Sequence, residues 1–407
     1  MKICDEGLCI GCMACKNVCM NNAIEIVQNK QGFYKPLVND TKCTGCNLCS
    51  SVCVNNISLD KVDTYLNQAE NAIAAWSKSS TLRKQSTSGG AFSVLASAIL
   101  AQNGIVFGAA YDSGSGMVKH ISVDKVDDLY QLRGSKYVQS YIGDIYKKVK
   151  QELQSGRKVL FSGTPCQIFG LRQYLGRYTD NLYTIDLVCH GVPSPRVFKD
   201  YCTYISESHQ SSIKGVNFRH KKPGWKVYGM KVSFHKGADY ESDTKNDPYL
   251  VGFLRDYFLN AGCHVCKFAK AKRPGDITLA DFWGYYDDTY RYIDDDKGIS
   301  LVLLNTDRGK ELFSEVKDNL IWKYKPIEDA VQGNPCLSHS FPRNDKYEEF
   351  WNDYENMTFQ YICDKYFYPD TPQHFTIREK IMQMFSVRQK YIIKKILFWK
   401  YIKSKLM

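Results

Sequence analysis

Two hydrophobic rhythms alternate along the chain. Short apolar runs closed by Gly, Ser or Pro predict strands; apolar residues spaced three to four apart predict helices. GIVFGAAYD (104–112) and MVKHISVD (117–124) read as strands joined by the Gly/Ser turn at 113–116. AFSVLASAILAQ opens after Gly89-Gly90 and closes at Asn103-Gly104, which predicts a helix. Further on, KVLFSG, QIFGLRQYL and LYTIDLV (182–188) follow one another as strand, helix and strand. A β-α-β crossover is right-handed and leaves its strands parallel, so both end at one sheet edge, where ligands bind in α/β folds. Cys166 and Cys189 stand just past those two ends. Ser194-Pro195 then opens another helix, with Ser194 as N-cap.

The N-terminal stretch obeys neither rhythm. CIGCMACKNVC places Cys9, Cys12, Cys15 and Cys19 at C-x2-C-x2-C-x3-C, and CTGCNLCSSVC repeats this with Cys43, Cys46, Cys49 and Cys53. Two-cluster bacterial ferredoxins use this spacing, the fourth cysteine of each run ligating the other cluster. One [4Fe–4S] cluster would then use Cys9, Cys12, Cys15 and Cys53, and the other Cys43, Cys46, Cys49 and Cys19. Met20 and Val54 stand where proline usually follows the fourth cysteine. A module this short buries little core, so ligation would supply much of its folding energy. The rival reading is a zinc module. Cys4 lies outside the pattern and reads as a bystander.

Composition changes this picture in three ways. Sixteen cysteines in a chain of 407 residues, nine of them before residue 54, point to metal rather than disulfides. The net charge of +11 is partly local, since 378–407 holds nine Lys/Arg against Glu379. Two or three clusters of about −2 each would lower it to roughly +7 or +5, so no nucleic-acid partner is expected. The apolar stretch Ala91–Ala101 is far short of a membrane span, and MKICDEGLCIGC shows no secretory signal; a cytoplasmic location is expected.

The domain expectation is a ferredoxin module at 1–60, a linker at 61–88, a larger mixed α/β body at 89–345, and a helical, basic tail at 346–407. The linker rests on the polar run SKSSTLRKQSTS (77–88). Gly89 and Gly90 at a helix start suit a phosphate or a simple cap. GSKYVQS (134–140) suits an anion or a solvated loop. FRHKKPGWK (218–226) reads as a basic turn between strands, its tip solvated or else gripping an acidic substrate tail or a phosphate, and GYYDDTYRYIDDDKG (284–298) as a surface loop. In the tail, Ile381, Phe385, Ile392, Ile396, Trp399 and Leu406 share a helical face, interrupted by Arg388 and Lys403. Such a helix docks on a partner protein or its own body, or lies on an anionic membrane.

The second constellation is Cys166 and Cys189 with CHVC, Cys263 and Cys266. Four thiolates are enough for a third [4Fe–4S] cluster. A zinc site and scattered buried thiols are rivals. So is a phosphatase loop, because Cys166 and Arg172 satisfy C-x5-R between strand and helix. Against it, Pro165 and Gln173 are not the residues such loops carry. Cys202, Cys336 and Cys363 read as buried thiols.

STSGGAF, GSKYVQS, FSGTPCQIFGL, DLVCHGVPSP and DITLADFWG, in that order over roughly residues 82–345, resemble the beta subunit of coenzyme F-420 hydrogenase/dehydrogenase. The resemblance implies FAD and a [4Fe–4S] cluster in the larger body, with Cys166, Cys189, Cys263 and Cys266 as ligands. It implies flavin contacts from Lys136, Gln139 and Ser140, with Gly89 and Gly90. Clusters pass single electrons while deazaflavins and nicotinamides exchange hydride, so a flavin belongs between them. The expectation is an iron–sulfur flavoprotein oxidoreductase passing electrons between a protein partner, three clusters, FAD and a two-electron substrate such as coenzyme F-420. The alternative is a non-catalytic relay subunit. No catalytic residue is assigned.

Overall fold

The computed structural model describes residues 1–222, 224–285 and 295–368. Between the two cysteine runs, β1 (Ile24–Gln28) and β2 (Tyr34–Val38) form an antiparallel ribbon. The larger body is built on β3 (Ala72–Ser77), β4 (Ile105–Asp112), β5 (Met117–Val123), β6 (Val159–Gly163) and β7 (Leu182–Leu187). A separate antiparallel sheet follows: β8 (Ile213–His220), β9 (Gly229–Phe234) and β10 (Tyr240–Asp243). The main sheet then resumes with β11 (Ile277–Asp281), β12 (Ser300–Leu304) and β13 (Leu320–Lys325). Its eight strands lie in the order β13-β3-β12-β11-β7-β6-β4-β5.

β6 and β7 pair in parallel, Val159 opposite Leu182 and Gly163 opposite Asp186, with helix Pro165–Leu175 between them. β4 and β11 extend the parallel set. β3 and β11 are both antiparallel to β12, so β3 runs with them. Five strands therefore end at one edge, which gathers Ser77, Asp112, Gly163, Leu187 and Asp281. Helices cover both faces, and the pleat splits the apolar residues between them. Leu160 joins the core beneath helix Ala91–Ala101, while Val159 and Phe161 join the opposite one. The N-terminal module shares that second core, through Met13, Ala14, Tyr34 and Val52.

Three expectations change. Residues 61–88 are not a linker: β3 lies between β13 and β12 with all six residues buried. The tail does not begin at 346, because helix Tyr347–Asn356 carries Phe350, Trp351 and Tyr354 into a core that includes Phe33. The basic face from Ile381 to Leu406 lies outside the described residues, as does 286–294 of the acidic loop. The β8–β9 connection is solvated only in part, with Lys222 and Lys226 exposed. Arg219 is buried against Asp281 at 2.8 Å, and Trp225 stacks on Trp283 at 4.6 Å. Among the described residues, no helix is long and apolar enough to cross a membrane.

Candidate functional site

Cys9, Cys12, Cys15 and Cys53 line one small cavity. Cys4 lines it too, and the neighbouring Cys53 and burial raise its thiol pKa. Burial pushes the Cys12 thiol up to about 12, and Cys9 and Cys4 add to the rise. Deprotonation here therefore needs a compensating cation, which is what a metal centre brings. In the other set, burial raises the Cys49 thiol, and Cys19 and Cys43 raise it further. Cys46 is exposed, so this set lies at the surface. The short helices Ala14–Val18 and Leu48–Ser51 carry Cys15 and Cys49. Both start at a residue of positive φ, Met13 and Asn47, and Gly11 and Gly45 are left-handed as well. This backbone wraps each run into a tight loop.

Cys166, Cys189, Cys263 and Cys266 line a second cavity, of 260 Å³. The β-α-β unit supplies the first two. Thr164 caps the helix in a reciprocal capping box with Gln167, Pro165 stands in the first turn, and Thr164 Oγ1 lies 3.1 Å from Cys166 Sγ. Cys263 lies in a short 3-10 turn, Ala261–Val265, and Cys266 directly follows it; the Asn260 side chain caps the turn by accepting from Gly262 N. Arg273 ties this segment to β7. It is buried against Asp186 at 2.9 Å and donates to the carbonyls of Phe268 and Leu187. Burial raises the Cys166 thiol well above its ordinary range, and Cys266, Cys189 and Cys12 raise it further. Among the described residues, no three His, Cys, Asp or Glu side chains converge to hold a single ion.

The two cavities share a wall: Ile10, Val54 and Asn55 line both. The Cys12 sulfur packs on Gly170 of the helix that carries Cys166, and a Cβ there would meet it at 3.2 Å. Arg172 does not turn to Cys166. It pairs with Asp276 at 3.1 Å and donates to Thr184. With that guanidinium engaged and the thiol pKa raised, the phosphatase reading has lost both of its requirements.

The residues expected around a flavin divide. Ser135 N donates to Thr87 Oγ1 at 3.0 Å, which joins the GSKYVQS and STSGGAF segments at the sheet edge. Lys136 donates to the carbonyls of Gln131 and Arg133, and burial lowers its ammonium to about 7. Gly90, at φ 94°, begins helix Ala91–Ala101 with no side-chain cap. An ammonium without a carboxylate partner among the described residues and an uncapped helix start suit a diphosphate. Gly89 is explained by packing instead, since a Cβ would fall 2.3 Å from Ala75 O. Gln139 is engaged elsewhere, accepting from Tyr34 N and donating to Ile10 O. Ser140 accepts from Gln167. Gln139 thus pins the cysteine-rich module to the body. Lys35, Asn260 and Arg273 were not visible as site residues, because only the fold brings them to the thiols.

The duplicated cysteine run, beside a mixed α/β sheet, is that of an iron–sulfur protein. Residues 8–57 match the 4Fe-4S dicluster domain. Residues 156–330 match the C-terminal part of the coenzyme F420 hydrogenase/dehydrogenase beta subunit. A solved structure of the F420-reducing [NiFe] hydrogenase complex from Methanosarcina barkeri, a xenon derivative, overlaps 69% of this chain and 98% of its own, with 19% identity and a TM-score of 0.43. No curated protein matches the chain.

Proposed function

We propose that the chain is an iron–sulfur flavoprotein oxidoreductase. Single electrons pass between a redox partner, the two clusters of the N-terminal module and a third cluster held by Cys166, Cys189, Cys263 and Cys266. The observation that carries this reading is the shared wall of Ile10, Val54 and Asn55 between the two thiol cavities. Neighbouring cavities with a common wall are what a through-protein electron path between two clusters needs. The exposed Cys46 makes the Cys43/Cys46/Cys49 edge the natural point of exchange with a partner. Gly90 and Lys136 would hold the FAD diphosphate. When bound, FAD supplies the conversion between single electrons and a hydride. The family match makes coenzyme F420 the first substrate to test. Anaerobically purified protein should hold FAD that reduced F420 bleaches; a flavin-free chain that only relays electrons would refute the enzyme reading.

One observation favours the relay reading. The Gln139 amide and the Ser140 hydroxyl are hydrogen-bonded to protein groups. Full cluster content without flavin would select it.

A further inference from the structure

Lys35 lies on β2 and is only 9% exposed. Its ammonium donates to Glu6 O at 2.9 Å and to Cys9 O at 2.5 Å. Among the described residues it forms no ion pair with a carboxylate. A buried, unpaired ammonium is costly, so the fold must provide its counter-charge in another form. The neighbourhood shows which. The Cys9 carbonyl also accepts from Asn260 Nδ2 at 3.2 Å, and the Asn260 carbonyl accepts from Cys263 N at 2.8 Å. One carbonyl therefore joins Lys35 to the backbone of both thiol sets. Burial lowers the Lys35 pKa, and the nearby thiols oppose that fall.

We infer that Lys35 is a fixed positive charge shared by the two thiol cavities, and that it raises the reduction potential of the cluster on each side. The inference rests on reading the Cys166/Cys189/Cys263/Cys266 cavity as a cluster site. Adding one electron takes a thiolate-bound cubane from about −2 to about −3. A nearby ammonium attracts the reduced form more strongly than the oxidised one, and weak screening in the interior enlarges the difference. Joined to both thiol sets through the Cys9 carbonyl, the same charge favours an electron on either cluster. It makes this pair the low-energy section of the relay, with the Cys19/Cys43/Cys46/Cys49 cluster left to its surface environment. Lys35 is here a positioning residue for charge; it touches no substrate.

The test is a dithionite titration of the full anaerobic chain, followed by electron paramagnetic resonance, for wild type, Lys35→Gln and Lys35→Arg. Lys35→Gln should keep about twelve iron atoms and shift two of the three midpoint potentials to more negative values. The remaining potential should stay, and Lys35→Arg should restore the shifted two. Unchanged potentials with iron intact would overturn the inference. So would a Lys35→Arg shift equal to that of Lys35→Gln, since packing rather than charge would then be responsible. If Lys35→Gln loses iron, Lys35→Met carries the test: two negative shifts that Lys35→Arg does not show support the inference, and unchanged potentials overturn it. A wild type with about eight iron atoms refutes the second-cavity cluster separately. Lys35 is then judged on the Cys9 cluster alone, where one of two potentials must shift.

Discussion

Arg273 and Asp186 show how much a single residue can hold. The pair is buried, at 1% and 0% side-chain exposure, and spans from the segment bearing Cys266 to the strand before Cys189. Removing one partner leaves an uncompensated buried charge, which costs about 3–5 kcal/mol. Arg273→Met should therefore lower the unfolding free energy by about that much in denaturant titration; a loss below about 1 kcal/mol would place the pair in a more polar setting than its burial indicates. Gln139 separates two roles. If it pins the module, Gln139→Met leaves Tyr34 N–H and Ile10 C=O unpaired, at about 1–3 kcal/mol each. Amide exchange in β2 should then quicken while flavin content stays constant. Lost flavin with unchanged exchange would return Gln139 to the cofactor. Neither role is legible in sequence. The resemblance points Gln139 at a flavin and nothing singles out Arg273; their partners Ile10 and Asp186 lie more than eighty positions away.

Among the elements, the β-α-β unit was the most legible, because its apolar runs, Gly163 and the Thr164-Pro165 cap all point the same way. β3 was the least. AIAAWS contains three alanines, which have little strand preference, and its strand state is imposed by β12 and β13 on its two sides. β5 carries a pH-dependent contact with the same sheet. His120 stacks on Phe161 at 5.2 Å, its Nε2 lies 3.1 Å from Ser162 O, and burial lowers its pKa to about 4. The folded state thus binds the proton less tightly than the unfolded chain, whose His titrates near 6.5. Stability should be full above about 6.5 and fall as pH drops toward about 4. His120→Phe should flatten that part of the stability–pH curve; an unchanged slope would clear His120 of the effect.

For the whole molecule, the cysteine spacing made the N-terminal thiol sets readable, since ligands close in sequence need no fold to bring them together. The second cavity needed the sheet: Cys166 and Cys189 come from neighbouring strand ends, and Cys263 and Cys266 from a turn beyond a second sheet. The fit between module and body was hidden for the same reason. Deleting 378–407 should leave iron and flavin content intact while weakening association with a partner or with anionic vesicles; lost flavin would make the tail part of the body.

The claim on which the account turns is that the second cavity holds a cluster. Iron per chain, measured on anaerobically purified wild type and Cys166→Ala, tests it most directly. The account predicts about twelve atoms in the wild type and about eight in the variant, with the spectrum of the N-terminal pair retained. About eight in both, or stoichiometric zinc in the wild type that Cys166→Ala removes, would contradict it.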